Sequence, residues 1–222
     1  MNLVDEQRFV PQSTGVGARI VPAHWHALKR LLDLTIGFTV VVLTVPILAL
    51  AALGIAVVSP GSPFFLQERV GHNGRLFRMI KLRTMIVDAE RFAKDIEHLN
   101  EVQGPVFKVK RDPRLHALGG FLRRTSIDEL PNFFNVLRGE MAIVGPRPPL
   151  PSEVAAYAPA ARVRLSAIPG ITCLWQISGR SNVNFDEWVE LDRAYIETWT
   201  PLGDLVIIAR TIPAVLRGVG AH

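Results

Sequence analysis

From Leu34 to Val58 the chain reads LTIGFTVVVLTVPILALAALGIAVV, without a single charged side chain. As a straight helix this run measures roughly 37 Å, longer than the ~30 Å hydrocarbon core of a bilayer. A buried helix of a soluble domain is disfavoured at that length. A cleaved signal peptide is disfavoured too: the run outlasts a usual h-region and starts late, although Ala49-Leu50-Ala51 resembles a cleavage site. Arg19, Lys29 and Arg30 precede the run and Arg69, Arg75 and Arg78 follow it, so both flanks carry the charge that normally stays cytoplasmic. Pro46 lies midway, where it deletes one ladder hydrogen bond and favours a kink. Two arms of about 18 Å could dip into ~30 Å of hydrocarbon and return, but could not cross it. A re-entrant, monotopic helix-break-helix therefore satisfies both the charges and the proline, with a single crossing as the competing topology. Lys29, Arg30 and Asp33 have the i,i+3 and i,i+4 spacing of a local ion pair at the headgroup boundary.

The remaining composition narrows the partners. At 222 residues the chain holds one domain plus an accessory segment, and its single cysteine, Cys173, forms no internal disulfide. A net charge of +5 favours a polyanion: nucleic acid, an anionic membrane or a phosphorylated metabolite. We expect a flexible tail over 1–27, the membrane segment over 28–60 and the folded remainder over 61–222. Asn73-Gly74 between two extended runs signals a β-hairpin. In its second arm Ile80 and Leu82 alternate with Lys81 and Arg83, so one face packs and the other carries two cations, either as a solvated strand face or as a binding face. Helical periodicity follows at 87–100, 114–123, 129–138, 151–164, 185–198 and 202–217. The last of these is apolar enough to be a core helix or one lying against a membrane. The class is α+β, mainly helical.

Two short stretches carry chemistry. TSIDELPN, residues 125–132, sets Asp128 and Glu129 just after Arg123 and Arg124. Ser126-x-x-Glu129 has the spacing of a capping box, but Pro131 disturbs any regular helix start there and frees at least one carboxylate. VGPRPPLP frames Arg147 between prolines, which suits either bidentate phosphate recognition or a proline-rich docking peptide.

The segments KRLLD, QERVGHNGRLF, KLRTM, RRTSIDELPNFFNVLRGEMAIVGPRP, PGITCLWQISGRSN and LDRAYIETW occur in that order around the proline-broken apolar run. In this the chain resembles the bacterial sugar transferases, the monotopic polyprenyl-phosphate phosphoglycosyltransferases, over essentially 28–222. The resemblance implies a small catalytic domain over 61–222 that moves a sugar 1-phosphate from a nucleotide-diphosphate sugar to polyprenyl phosphate. Asp128 would be the nucleophile and a ligand of Mg²⁺, with Glu129 as its partner. Arg123 and Arg147 would bind phosphate, Lys81 and Arg83 would lie near the site, and Asp192 is a further candidate for the same pocket. Lys29, Arg30, Asp33 and Pro46 would fix the re-entrant helix at the membrane interface.

The implied partners are a nucleotide-diphosphate sugar such as a UDP-hexose, undecaprenyl phosphate and membrane lipid, with a homodimer allowed and no nucleic acid. The implied location is the cytoplasmic face of a bacterial inner membrane, and the implied role is priming exopolysaccharide or O-antigen synthesis. Two departures stand out: Cys173 occupies a place where the family pattern has glycine, and the N-terminal multi-helix region of longer relatives is absent, as in a short member or a catalytic portion. The competing reading is a membrane-anchored adaptor that uses the proline-rich segment for docking.

Overall fold

A computed structural model describes residues 21–92, 95–100, 104, 109, 112–178 and 184–216. Its first element, α1 (Ala23–Val58), is a helix of 36 residues that runs unbroken through Pro46. The expected interruption is therefore not an interruption of the helix: one missing N–H leaves the surrounding turns in place. Thr44, two residues earlier, turns its hydroxyl back onto the Val40 carbonyl at 2.7 Å. The helix also begins inside the expected tail. Residues 1–20 lie outside the described ones, while Trp25 packs edge-on against Trp199 at 6.2 Å.

One stripe of α1 is buried along its whole length: Asp33, Gly37 and Val41 before the proline, Leu48 and Ile55 after it. The remaining surface is exposed and apolar, with Phe38, Leu43, Leu50, Leu53 and Val57 all more than 60% exposed. The helix is thus long and apolar enough to cross a membrane, yet both of its ends are fastened to the same folded body. Near its start, Lys29 donates to the Val144 carbonyl at 3.0 Å and pairs with Asp204 at 2.6 Å. Arg30 donates to the Val136 and Leu137 carbonyls, and Asp33 accepts the Ile143 N–H at 2.9 Å. Lys29 and Asp33 do approach within 3.9 Å, as their spacing suggests, but all three residues chiefly bind protein. At the far end the Arg83 guanidinium reaches the carbonyls of Ser59 and Pro60 at 2.9 and 2.7 Å.

Strands β1 (Phe64–Val70) and β2 (Leu76–Leu82) form the expected antiparallel hairpin, with Phe64 opposite Leu82 and Val70 opposite Leu76. Its connection is longer than a two-residue turn: His72–Gly74 make a 3₁₀ turn, with Asn73 and Gly74 both left-handed at φ 54° and 80°. The facing of β2 differs from the periodicity reading. Phe77 and Met79 are buried in the main core, so Lys81 shares their inward face, while Leu82 packs from the other side against α1.

The helical windows hold best at 185–198 and 202–217. Over 87–100 the described residues make only 3₁₀ turns, Ala89–Phe92 and Glu97–Leu99. Window 114–123 shrinks to α2 (Gly119–Arg124), and 129–138 becomes α3 (Asn132–Arg138), which starts just after Pro131. Window 151–164 splits at Pro159 into α4 (Pro151–Ala155) and a 3₁₀ stretch, Pro159–Ser166. The last helices come after a short parallel pair that periodicity missed, β3 (Ala142–Val144) beside β4 (Gly170–Thr172). Gly145 and Gly170 cross closely there: a Cβ on Gly170 would enter the Gly145 backbone, and one on Gly145 would strike the Ile168 carbonyl. Then follow α5 (Leu174–Ile177), α6 (Phe185–Thr198) and α7 (Pro201–Leu216). The main core gathers Phe77, Met79, Val136, Met141, Val144, Tyr195 and Trp199 between β2, α3, β3 and the last helices.

Asp204 accepts from Tyr195 and Trp199, both at 3.0 Å, besides pairing with Lys29. Lys29→Met leaves that buried carboxylate without its cation and should cost about 3 kcal/mol, lowering the unfolding midpoint in detergent by roughly 6–12 °C. A shift below about 2 °C would show that solvent, not Lys29, carries Asp204's charge.

Candidate active site

The dyad sits in a short, irregular stretch. After α2 the chain turns at Ser126, left-handed at φ 56°, into a 3₁₀ turn over Ile127–Glu129. The Ser126 side chain caps nothing, so the capping-box alternative fails. Pro131 stands immediately before α3, where its missing N–H costs no ladder bond. Ile127 and Leu130, on either side of the dyad, pack against the cluster of Leu48, Ile55, Leu82 and Leu122. The dyad is thereby pinned to the second half of the apolar helix.

The two carboxylates have different surroundings. Glu129 is held by the Lys81 ammonium at 3.1 Å, and Lys81, then Arg147 and Arg69, pull its carboxyl down to about 2. Asp128 is 8% exposed and, among the described residues, has no cation within ion-pair distance. Burial first, then the charge of Glu129, pushes it up to about 7, against the opposing pull of Lys81 and Arg123. A pair of adjacent acids whose protonation is driven apart in this way is a recurring mark of a reacting site.

Cations surround the dyad. Arg123 is fixed by a bond from its Nε to Thr84 Oγ1 at 3.0 Å and acts on Asp128 through its field. Arg147 lines a cleft with Lys81, Glu129, Asn132 and Gln176, floored by Met79 and Met141. Its guanidinium has no hydrogen-bond partner among the described residues. The prolines around it, Pro146, Pro148 and Pro149, are all buried, which removes the docking-peptide alternative. Gly170 N–H donates to Pro146 O, Val70 N–H to Pro149 O, and Leu150 N–H to Glu153 Oε2, each at 2.9 Å.

Two expected site residues lie elsewhere. The guanidinium of Arg83 is committed to the end of α1, as described above. Asp192 is 1% exposed and pairs with Arg164 at 2.6 Å beneath Tyr157, in the core between α6 and the 3₁₀ stretch. Cys173 is accommodated at the start of α5, its Sγ 3.4 Å from Gln176 Oε1, and burial pushes its thiol up. Three residues of the cleft or its wall escaped the sequence reading: Arg69, Asn132 and Gln176. Arg69 stood in QERVG as one more basic flank of the apolar run, although its place two residues after Gln67 puts both on one strand face.

Among the described residues, no three Asp, Glu, His or Cys side chains converge as a ready-made metal cage. Mg²⁺ does not require one, since it keeps waters and takes one or two carboxylates together with substrate phosphates. Asp128, which has no ion-pair partner among the described residues, fits that donor set.

The family model described as "Bacterial sugar transferase" matches residues 24–218. Among curated proteins, the galactosyl transferase CpsE of Streptococcus agalactiae is 47% identical over 194 residues, which cover 87% of this chain and 43% of that protein. The exopolysaccharide production protein ExoY of Sinorhizobium fredii is 38% identical over 218 residues, 96% of this chain and 95% of its own length. A UDP-glucose:undecaprenyl-phosphate glucose-1-phosphate transferase of Caulobacter vibrioides is 39% identical over 205 residues, 87% of this chain and 72% of that protein. The chain thus spans less than half of CpsE and nearly all of ExoY. With a family match running from the first turn of α1 to the end of α7, and a relative aligned almost end to end, the chain belongs to the bacterial sugar transferase family.

Proposed function

We propose that the chain transfers a hexose 1-phosphate from a nucleotide-diphosphate sugar, such as a UDP-hexose, to undecaprenyl phosphate, as a priming step of exopolysaccharide or O-antigen synthesis. One observation carries this reading: a buried carboxylate with no ion-pair partner among the described residues, Asp128, stands next to Glu129 of a cationic cleft and between two side chains packed on the apolar helix. The relatives' printed names supply the lipid carrier and the hexose.

In the first half-reaction an Asp128 oxygen attacks the sugar-bearing phosphorus of the donor. The bond from that phosphorus to the bridging oxygen breaks, and nucleoside monophosphate leaves with the electron pair. In the second, a phosphate oxygen of the polyprenyl carrier attacks the same phosphorus, forming the diphosphate link and releasing the Asp128 carboxylate. A carboxylate is a weak nucleophile and a diphosphate repels it, so neutralisation of charge decides the rate. Arg147 and Lys81 supply fixed positive charge in the cleft, and Arg123 acts from the Asp128 side. Mg²⁺ held by Asp128 and the donor phosphates would add neutralisation of the same kind. Glu129, kept ionised by Lys81, stays an acceptor while its neighbour reacts.

The fastening of α1 supports a monotopic arrangement. With Lys29, Arg30 and Asp33 at one end and Ser59–Pro60 at the other bound to one body, both ends stay on the same side of the bilayer. The exposed apolar face then lies in the lipid along one side of the body, as a monotopic element on the cytoplasmic face of the inner membrane. Both positively charged flanks then remain cytoplasmic.

Three outcomes are expected. Asp128→Asn should cut nucleoside monophosphate release by on the order of 10⁴-fold and abolish the phosphosugar mass adduct on the intact protein. The same variant should unfold at a higher temperature than the parent above pH 7, because a carboxyl raised to about 7 when folded loses stability as pH climbs from the ordinary carboxylate range through 7. The advantage should shrink at pH 5, and an equal shift at both pH values would contradict the raised carboxyl. Finally, cysteines placed on either side of α1 should both be labelled from the cytoplasmic face of intact vesicles, and labelling of one from the opposite face would establish a crossing helix.

A further inference from the structure

Arg69 is an expensive residue to bury. It is 5% exposed and has no carboxylate within ion-pair distance among the described residues. Its Nε and Nη2 converge on the neutral Gln67 Oε1 at 3.1 and 2.6 Å, and its Nη1 donates to the Pro148 carbonyl at 2.8 Å. Burial, and next the neighbouring Arg147, pull it down to about 10, so like charge faces like charge at the wall of the cleft. A site that only had to satisfy Pro148 O could use an uncharged donor at lower cost.

The bond to Pro148 has a direct consequence for Arg147. The peptide on its C-terminal side is gripped by Arg69 through Pro148 O. One residue further, β1 grips again through Val70 N–H and Pro149 O at 2.9 Å. On its N-terminal side, Pro146 O accepts from Gly170 N–H. The segment is therefore clamped on both sides of Arg147, whose guanidinium lines the cleft and has no hydrogen-bond partner among the described residues. A bound polyanion relieves the repulsion between the two guanidinium groups, so the charge that makes Arg69 costly in the free protein strengthens the grip once the donor arrives.

We propose that Arg69 is a positioning residue for the donor diphosphate: its buried, forked guanidinium holds the Pro148 carbonyl and so fixes the direction in which Arg147 presents its own guanidinium to the phosphates. This deepens the transferase reading above and rests on it.

The test is a double-mutant cycle between Arg69→Lys and Arg147→Ala in the full chain in detergent, with Gln67→Met as a milder change that loosens the Arg69 fork from its other side. Lysine keeps the charge but cannot grip two acceptors in one plane. Arg69→Lys should lower kcat/KM for the sugar nucleotide by about tenfold to a hundredfold, with KM for polyprenyl phosphate unchanged. In the Arg147→Ala background the same change should cost less than about twofold, because the group it positions is gone. Gln67→Met should move the donor parameters in the same direction by a smaller factor. A loss that persists undiminished in the Arg147→Ala background, or that falls equally on both substrates, would overturn the proposal and leave Arg69 a packing residue.

Inorganic pyrophosphate serves as the probe that does not depend on turnover. It should raise the melting temperature of the parent chain, and Arg69→Lys and Arg147→Ala should each abolish that shift without adding to one another. If no sugar nucleotide is turned over by the parent yet this pattern appears, the transferase reading fails while the role of Arg69 at an anion site stands. A pyrophosphate shift that Arg69→Lys leaves intact overturns the Arg69 proposal whatever the turnover.

Discussion

The polar cluster at the start of α1 is the constraint on which the site depends. Lys29 and Asp33 project from an otherwise apolar helix onto the two ends of one short strand segment, Lys29 on the Val144 carbonyl and Asp33 on the Ile143 N–H. That segment continues through Gly145 and Pro146 into Arg147. Tyr195 joins Lys29 on the Val144 carbonyl, and Asp204 ties Lys29 to the last helix. The apolar helix therefore also fixes the strand that leads to Arg147, whose guanidinium lines the cleft. On the proposed function, embedding and donor recognition share one set of hydrogen bonds.

The other half of the helix performs the matching task for Asp128, the proposed nucleophile. Leu48 and Ile55 pack against the side chains that bracket Asp128. Burial by these neighbours raises the acid, and the ionised Glu129 raises it further, while Lys81 keeps Glu129 charged. The same apolar contacts that fasten α1 to the body thus set the protonation of Asp128. In the proposed reaction, a soluble donor and a lipid acceptor meet at that residue.

Much of this was legible in the sequence, and the exceptions have physical causes. The apolar run, the hairpin, α6, α7 and the placement of Asp128, Glu129, Arg123 and Arg147 follow from local pattern and family resemblance. What periodicity missed is tertiary. Lys81 looked like one of two cations on an outward strand face, but the core claims Phe77 and Met79, and Lys81 follows them inward. Arg83, two residues on, is drawn instead to the unpaired carbonyls at the end of α1, a demand that no local pattern announces. Asp192 stands in a charged, amphipathic helix, yet Arg164 from a distant 3₁₀ stretch neutralises it in the interior. The β3–β4 pair is three residues per strand and rests on two glycines crossing, too short for any alternation to register. Arg69 was visible only as a charge, because its meaning depends on a carbonyl 79 positions away.

The outward face of α1, with Phe38, Leu43, Leu50, Leu53 and Val57 bare on one flank of the body, shapes how the protein behaves once extracted. Because the helix is anchored at both ends, solubilisation does not peel it away or fold it under. Surfactant gathers along that flank, so the purified particle is lopsided, with its scattering mass displaced to one side. On a thin aqueous film it would turn that flank toward the air, and imaging would see it from few directions.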